Sequence, residues 1–436
     1  MAGLAYHAKA NRSAEALAAA QGQVTAPTAL AHAGSFFPVA GTPSGAVAPA
    51  GPLVRTGAAA ATAQVAAAGA SGQAGTFGAL DLSRAVLRDG AYEIDLGRGR
   101  RARLTLDPKL QRAAEKLLER TRAPRAAAIV MAPDGRILAL AGRRTESPRG
   151  GKEGTTDPRL VTEVWAPAAS IFKLVTATAL VRAGVTPKKK VCFHGGVRSV
   201  MESNLADSPR DNRCEDLSFA VAHSQNAIIA KLSHKHLSPK ALSLAAEDLG
   251  FTGAVEATGL SGNAGSILLP ASNGIELAKA AAGFRGSELS VLGGGVLANT
   301  LANRGVEVTP TLIAAVIEGD EVRATPPGKR RRVVDAKVAD AVADMMVGTC
   351  AEGSAAKAFR SRENSLPKGL KVAGKTGTLS RSEPFPMEYS WFVGFAPADA
   401  PQLSVSVLIG NTDDWWLKGH TVARELFEEA LHDSRP

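Results

Sequence analysis

The stretch Ala169-Ser170-Ile171-Phe172-Lys173 opens a long apolar run that ends at Gly184. Pro167 lies just before it, and proline near the start with glycine past the end is typical of a helix. Lys173 follows Ser170 by three residues, so both side chains lie on one face of that helix. A serine beside a lysine that accepts its proton is an activated nucleophile, although this pair alone is common by chance.

A second polar group, Ser224-Gln225-Asn226, interrupts the largely apolar stretch 220–227. At a break between two helices, Ser224 and Asn226 would both point into a cleft. The alternative interpretation is an ordinary helix cap, because serine and asparagine are favoured there. Taken alone, this triplet favours the cap.

The third stretch is Lys375-Thr376-Gly377-Thr378, which follows Ala373-Gly374 in a strand-like run. A glycine in a strand allows close approach of another backbone, here that of a substrate. The lysine adds a positive charge. These residues form a candidate binding strand.

Residues 369–376 also fit the phosphate-loop pattern G-x-x-x-x-G-K-[ST] of nucleotide hydrolases. That motif requires a buried strand before it and a helix after it. The preceding residues 363–368 are polar and contain proline, and residues 377–384 have no helical pattern. The context therefore favours a strand, and a nucleotide hydrolase remains a remote alternative.

Composition narrows the class of protein. The 436 residues are 45% hydrophobic and 21% charged, with a net charge of +10 and a pI of about 9.6. This length allows about two or three domains. The charge suits an anionic partner, but aromatic residues are only 5% and no base-reading motif is present, so nucleic-acid binding is not predicted. The basic clusters 188–190 and 329–332 are interpreted as solvated turns.

Three cysteines are present, and neither they nor the histidines show the spacing of a zinc site. Cys192 and Cys214 flank one polar segment, which is compatible with a disulfide in an oxidising compartment or with two free thiols. Cys350 is predicted to be a small packed residue.

No run of 18 or more apolar residues is present, so no membrane-spanning helix is predicted within this chain. The N-terminal residues lack the basic and apolar regions of a signal peptide. Two possibilities follow: the protein is cytosolic, or an export signal lies outside this chain.

The pattern divides the chain into three parts. Residues 1–80 are rich in alanine, glycine and proline and are predicted to be a flexible segment with possible helical turns at 13–20. Residues 81–125 are a lead-in segment, with a short strand at 103–106 and a helix capped by Asp107-Pro108. The third part, 126–436, contains the three stretches described above.

Within this third part, residues 126–131 and 136–141 are predicted to form a hairpin. A mostly helical block follows from Ser170 to Met346, with segments at 217–232, 239–249, 274–282 and 333–346, interrupted by the glycines 293–295. Three strands at 371–379, 389–396 and 402–409 and a closing helix at 420–431 complete the pattern. The predicted fold is therefore α+β: one antiparallel sheet flanked by helices, with a large inserted helical lobe and a cleft between the two.

The motifs S-x-x-K, S-x-N and K-T-G-T occur in this order, and together they resemble the transpeptidase domain of penicillin-binding proteins. The segments 104–111, 129–139 and 390–397 also look like the approach, the first hairpin and the strand after K-T-G in that family. The resemblance covers about 104–432.

The resemblance implies a serine acyltransferase that acts on peptidoglycan stem peptides, is acylated by β-lactams and needs no metal or cofactor. Ser170 is then the nucleophile, Lys173 its base and Ser224 a proton relay, and the backbone N–H groups of Ser170 and Thr378 meet the oxyanion. Burial of Lys173 and the nearby Lys375 would keep Lys173 neutral. The substrate-binding residues are then Asn226, Lys375, Thr376, Gly377 and Thr378.

Several features leave the exact activity open. Release of the acyl group to an amine gives a D,D-transpeptidase that crosslinks peptidoglycan, and release to water gives a D,D-carboxypeptidase or a β-lactamase. No E-x-x-L-N segment of a class A β-lactamase precedes K-T-G. A penicillin sensor without turnover is a further alternative. The resemblance implies a location outside the cytoplasmic membrane, in the periplasm or at the cell surface, among other cell-wall synthesis proteins.

Overall fold

The computed structural model describes residues 79–145, 147, 150–361, 363–383, 386–412 and 417–432. Nearly all of the predicted flexible segment 1–80 lies outside these residues, and so do the helical turns expected at 13–20. The boundaries proposed at 81 and 126 stay predictions. None of the described helices is long and apolar enough to cross a membrane.

The α-helices begin with the predicted one after Asp107, whose side chain accepts a hydrogen bond from the Leu110 N–H. In chain order they are α1 (Pro108–Thr121), α2 (Arg159–Thr162), α3 (Phe172–Arg182), α4 (Leu217–Ala222), α5 (Asn226–His236), α6 (Pro239–Asp248), α7 (Ile275–Ala281), α8 (Val291–Ala302), α9 (Ala336–Ala351), α10 (Ala356–Phe359) and α11 (Gly419–Leu431). Short 3-10 helices cover Leu82–Arg84, Ala169–Ile171 and Glu202–Asn204.

The strands are short except in the central sheet. In chain order they are β1 (Val86–Arg88), β2 (Ala91–Gly97), β3 (Arg100–Leu104), β4 (Arg125–Met131), β5 (Ile137–Arg144), β6 (Thr155–Thr156), β7 (Ala166–Pro167), β8 (Lys190–Phe193), β9 (Arg213–Asp216), β10 (Gly253–Val255), β11 (Gly262–Ile267), β12 (Ser287–Leu289), β13 (Val306–Val308), β14 (Ile313–Glu318), β15 (Glu321–Ala324), β16 (Arg330–Arg332), β17 (Ala373–Arg381), β18 (Met387–Ala396) and β19 (Leu403–Asn411).

The central sheet has the order β17-β18-β19-β4-β5-β6, and all neighbouring strands are antiparallel. The predicted hairpin is β4–β5 and the three predicted late strands are β17–β19. The link between the two groups is the pairing of β4 with β19, in which Ala128 lies opposite Val407. This arrangement confirms the predicted α+β fold with an antiparallel sheet made from both ends of the chain, although the described residues also form four smaller sheets.

The sheet is covered on both faces. Ala126, Ala128 and Val130 of β4 pack with apolar residues of α1 and α11, whereas the alternate residues Ile129 and Met131 pack with those of α8. Successive side chains of a strand point to opposite faces, so a strand that is buried on both needs a continuous apolar run. This explains why 126–131 contains no polar residue after Arg125.

The prediction that the glycines 293–295 interrupt the helical block is wrong, because all three lie inside the buried helix α8. A Cβ on Gly293 would lie 2.3 Å from the Ala264 carbonyl oxygen, and one on Gly294 would lie 2.4 Å from Ser406 Oγ. The glycines let the helix lie directly against β11 and the central sheet. Close packing here outweighs the low helix propensity of glycine.

The predicted helical segment 217–232 is two helices, α4 and α5, with a break at residues 223–225. Ser224 lies in this break with a φ of +57°. The left-handed conformation is uncommon for residues other than glycine and ends the path of α4. The interpretation of Ser224 as part of a helix break is thus confirmed, and Gln225 supplies the cap of α5.

Of the two alternatives for Cys192 and Cys214, the structure shows the disulfide. Cys192 and Cys214 form a disulfide across the paired strands β8 and β9, and Cys350 is buried as predicted. Of the two basic clusters, 188–190 ends at the exposed start of β8. The prediction of a turn at the other cluster, 329–332, is wrong, because its last three residues form the exposed strand β16, which pairs with β13.

Candidate active site

Ser170 lies in the 3-10 turn Ala169–Ile171, which leads directly into α3. The preceding Ala169 is buried and has a left-handed φ of +50°. The turn is fixed from outside, since Trp391 Nε1 donates to the Pro167 carbonyl at 2.8 Å. A non-glycine residue in this conformation persists only where its surroundings enforce it, which is common at functional sites.

Lys173 is completely buried in the first turn of α3 and its Nζ has three polar neighbours. Nζ lies 2.6 Å from Ser170 Oγ, 2.7 Å from Asn226 Oδ1 and 3.2 Å from Ser224 Oγ. A neutral amine can donate to Asn226 and Ser224 while its lone pair accepts the proton of Ser170. Ser170, Ser224 and Asn226, which lie up to 53 positions from Lys173 in the sequence, therefore meet at its side-chain nitrogen.

The electrostatic surroundings favour this neutral form. Burial lowers the pKa of Lys173 well below its usual 10.5, and the nearby charge of Lys375 lowers it further. Removing an ammonium group from water disfavours the charged state, and a second cation has the same effect. Both causes are those that the sequence analysis expected.

Asn226 is the first residue of α5 and both ends of its amide group are bonded within the protein. Its Oδ1 accepts from Lys173, and its Nδ2 donates to the carbonyls of Gly196 at 2.9 Å and Val197 at 3.2 Å. The sequence analysis expected a contact with the substrate and missed these internal contacts. No motif marks the carbonyls of residues 196–197.

Lys375, Thr376, Gly377 and Thr378 lie in β17, at the edge of the central sheet. Exposure alternates along the strand: Lys375 and Gly377 are buried, Thr376 is half-buried and Thr378 is exposed. Lys375 Nζ donates to the Thr376 carbonyl at 2.9 Å, and burial lowers the pKa of Lys375 to about 7.

Gly377 brings the binding strand against the turn that carries Ser170. A Cβ on Gly377 would lie 3.4 Å from both the Ala168 carbonyl oxygen and Ala169 Cβ. A side chain at this position would therefore be in direct contact with that turn. That this glycine also lets a substrate approach the strand stays a prediction.

The phosphate-loop alternative is wrong for residues 369–376. Gly374 and Lys375 both lie inside β17, which continues to Arg381 without a helix. A phosphate loop needs backbone N–H groups gathered before a helix, and here they belong to a strand paired with β18.

Ser354 is a polar neighbour of the binding strand that the sequence analysis missed. It is exposed, and its Oγ lies 2.5 Å from Thr376 Oγ1. Its backbone N–H donates to the Ala222 carbonyl at 3.0 Å, two residues before Ser224. The segment between α9 and α10 therefore contacts both the binding strand and the last residue of α4, and no local sequence signal indicates this.

Comparison with known proteins agrees with this fold. The family described as the penicillin binding protein transpeptidase domain matches residues 126–432. Peptidoglycan D,D-transpeptidase PbpA of Mycobacterium tuberculosis is 26% identical over 265 residues, which cover 59% of this chain and 52% of the relative. Stage V sporulation protein D of Bacillus subtilis is 26% identical over 354 residues, 77% of this chain and 53% of that protein. The chain thus spans about half the length of these relatives.

Solved structures give the same result. The crystal structure of PBPA from M. tuberculosis superimposes with a TM-score of 0.60 at 23% identity, covering 75% of this chain and 81% of that one. The D,D-transpeptidase domain of a peptidoglycan glycosyltransferase from Eggerthella lenta does so with a TM-score of 0.59 at 26% identity, covering 76% and 82%. With a family match over residues 126–432, this chain belongs to the penicillin-binding protein transpeptidase family.

Proposed function

We propose that this protein is a penicillin-binding D,D-transpeptidase that crosslinks peptidoglycan through an acyl-enzyme on Ser170. The observation that carries the proposal is the position of Lys173 Nζ, which contacts Ser170, Ser224 and Asn226 in a buried site that lowers its pKa. A base that is neutral near physiological pH is what a serine nucleophile requires.

In the acylation step, Ser170 Oγ attacks the carbonyl carbon of the terminal D-Ala-D-Ala peptide bond while its proton passes to Lys173. The carbonyl oxygen becomes an oxyanion that accepts hydrogen bonds from the N–H groups of Ser170 and Thr378. The C–N bond then breaks, and the leaving D-alanine takes a proton that Ser224 relays from Lys173. The short distances from Lys173 Nζ to both serines support this route.

The stem peptide would lie along β17, which pairs with β18 and forms an edge of the central sheet as far as the described residues extend. An edge strand offers N–H and C=O groups to an extended peptide. Lys375, Thr376 and Thr378 would hold the terminal carboxylate. A bound carboxylate stabilises the charged form of Lys375, which burial alone disfavours.

The acyl group would then pass to the amine of a second stem peptide, outside the cytoplasmic membrane where peptidoglycan is crosslinked. β-Lactams would occupy the same site and acylate Ser170. Matched structures of M. tuberculosis penicillin-binding protein A include a penicillin G acyl-enzyme complex.

Labelling with a fluorescent penicillin tests the nucleophile. We expect the wild type to be labelled covalently and Ser170→Ala to be unlabelled, with the exposed Ser261→Ala as the matched control. No labelling of the wild type, or undiminished labelling of Ser170→Ala, would contradict the proposal.

Turnover of a D-Ala-D-Ala pentapeptide tests the reaction. We expect crosslinked product when an acceptor amine is present. Hydrolysis alone would identify a D,D-carboxypeptidase, rapid hydrolysis of penicillin a β-lactamase, and labelling without any turnover a penicillin sensor.

A further inference from the structure

A loop next to the active site is closed by the disulfide between Cys192 and Cys214. We call residues 192–214 the disulfide loop. Its inner part, 195–197, faces the start of α5 and the amide of Asn226. Its outer part is bound to the middle of the same helix by Lys231. The mechanism above uses none of these contacts.

The inner part holds two successive residues of the S-x-N motif. Gly196 and Val197 accept from Asn226 Nδ2, and the Gly195 carbonyl accepts from Gln225 Nε2 at 3.4 Å. These contacts fix the direction of the Asn226 amide, so that its oxygen points to Lys173. An amide released from the loop could rotate about its last side-chain bond.

The inner part lies so close to α5 that glycine is required. Gly196 has a φ of +74°, and a Cβ there would lie 2.5 Å from Ala227 Cβ and 2.6 Å from Ala227 N. The loop therefore has little freedom to move while its outer part stays in place.

The outer part is anchored by a buried ion pair. Lys231 Nζ donates to Asp211 Oδ2 at 2.7 Å and to the Cys192 carbonyl at 2.8 Å, and both side chains are only 6% exposed. Lys231 also lies 3.4 Å from the exposed carboxylate of Asp207. The same helix thus holds the disulfide loop at Asn226 and, five residues later, at Lys231.

Further contacts on the inside of the disulfide loop complete the anchor. His194 Nδ1 lies 2.6 Å from Asp211 Oδ1 and its Nε2 lies 3.2 Å from Ser203 Oγ, while Asn204 Nδ2 donates to the His194 carbonyl. Although burial opposes it, the hydrogen bonds from His194 and Lys231 lower the pKa of Asp211 to about 2. The Asp211 carboxylate therefore stays charged across the physiological range and keeps both partners.

We infer that the disulfide loop positions the general base: Asp211 and Lys231 hold the loop, the loop holds Asn226, and Asn226 holds Lys173 against Ser170. The inference rests on the proposed function and makes Asp211 and Lys231 positioning residues. The disulfide ties the two ends of this support together. A displacement of about 1 Å at a reacting group can cost roughly 100-fold in rate, so slackening the loop slows acylation.

The first test compares acylation rate constants with a fluorescent penicillin before and after reduction by dithiothreitol. Both cysteines are exposed, so the reagent has access to the bond. Reduction converts the disulfide into two thiols while dithiothreitol becomes a cyclic disulfide. We expect the folded, reduced wild type to be acylated about 10- to 100-fold more slowly and reoxidation to restore the rate.

The double variant Cys192→Ser/Cys214→Ser is the matched control. It should react as slowly as the reduced wild type and be insensitive to dithiothreitol. Lys231→Met slackens the anchor without touching the cysteines and should also react more slowly. Equal rates for oxidised and reduced wild type would overturn the inference.

The pH profile separates positioning from loss of folded protein. When the loop slackens, water reaches Lys173 and the pKa of its amine rises. The acid limb of the plot of acylation rate against pH then moves to higher pH. The charge of Lys375 also lowers the pKa of Lys173. Lys375 lies in β17, outside the disulfide loop. Partial unfolding lowers the labelled fraction but leaves this limb in place, and that result would refute the inference.

Hydrogen exchange gives a readout that needs no activity. Backbone N–H groups of residues 224–228 should exchange faster in the reduced wild type, because the loop no longer holds the start of α5. Unchanged exchange would contradict the inference. If the oxidised wild type were not labelled by penicillin, the proposed function would fail, while this measurement would still decide whether the loop holds α5.

Discussion

The two sides of the candidate site are built differently. We call Ser170, Lys173, Ser224 and Asn226 the nucleophile side, and 375–378 of β17 the strand side. On the nucleophile side the polar groups are bonded to one another around a buried nitrogen. On the strand side, Thr378 is exposed at a sheet edge. In the proposed mechanism, the nucleophile side is organised for chemistry before a substrate arrives, and the strand side binds the substrate.

The two buried lysines show the same contrast. Burial and the charge of Lys375 lower the pKa of Lys173 well below its usual value, whereas burial lowers that of Lys375 to about 7. Two cations are unfavourable in one buried site. The arrangement therefore favours the neutral form of Lys173, and in the proposed mechanism an incoming carboxylate stabilises the charged form of Lys375.

The largest effect should come from the nucleophile side. We expect Lys173→Met to lower the acylation rate constant about 100- to 10,000-fold, because a positioned general base contributes that much. Stopped-flow labelling with a fluorescent penicillin measures it. The exposed Lys240→Met is the matched control and should react like the wild type. A rate for Lys173→Met within threefold of the wild type, roughly 0.6 kcal/mol, would exclude this role.

A smaller effect should come from the strand side. We expect Thr378→Val to lower acylation efficiency about 10- to 150-fold, because a hydrogen bond to a charged group contributes about 1.5–3 kcal/mol. The loss should appear mainly in KM. Ser380→Ala, an exposed residue two positions along the same strand face, is the control. If both variants behave alike, the carboxylate does not bind at Thr378.

The smallest effect should be the pH dependence from Lys375. Its charge is present below its pKa of about 7 and is lost as the pH rises, so kcat/KM for a substrate with a terminal carboxylate should fall about fivefold from pH 7 to 8. A substrate with a neutral amide in place of the carboxylate should lack this alkaline limb. Identical profiles for the two substrates would disprove the assignment.

Local patterns predicted much of the fold. The apolar runs of β4 and β17–β19, the cap at Asp107 and the closing helix α11 all depend on neighbouring residues, and each was found near its predicted bounds. The S-x-x-K, S-x-N and K-T-G-T motifs also lie close together. Lys173 contacts Ser170 and Asn226, and the charge of Lys375 lowers the pKa of Lys173.

The remaining features depend on contacts that a linear pattern does not contain. The glycines 293–295 suggested a break because helix propensity is local, yet the surface of the central sheet decides their conformation. Ser354 and the carbonyls of Gly196 and Val197 lie beside the motifs only after folding. A backbone carbonyl carries no residue identity, so no sequence motif reports it.

The pairing of β4 with β19 has a consequence for biogenesis. Residues that lie opposite each other there, such as Ala128 and Val407, are roughly 280 positions apart in the chain, and such long-range contacts form slowly. A nascent chain that ends before β17 carries Ser170 and Lys173 but has neither β19, the second partner of β4, nor the strand beside the nucleophile. We therefore expect β-lactams to react with finished molecules and to leave growing chains untouched.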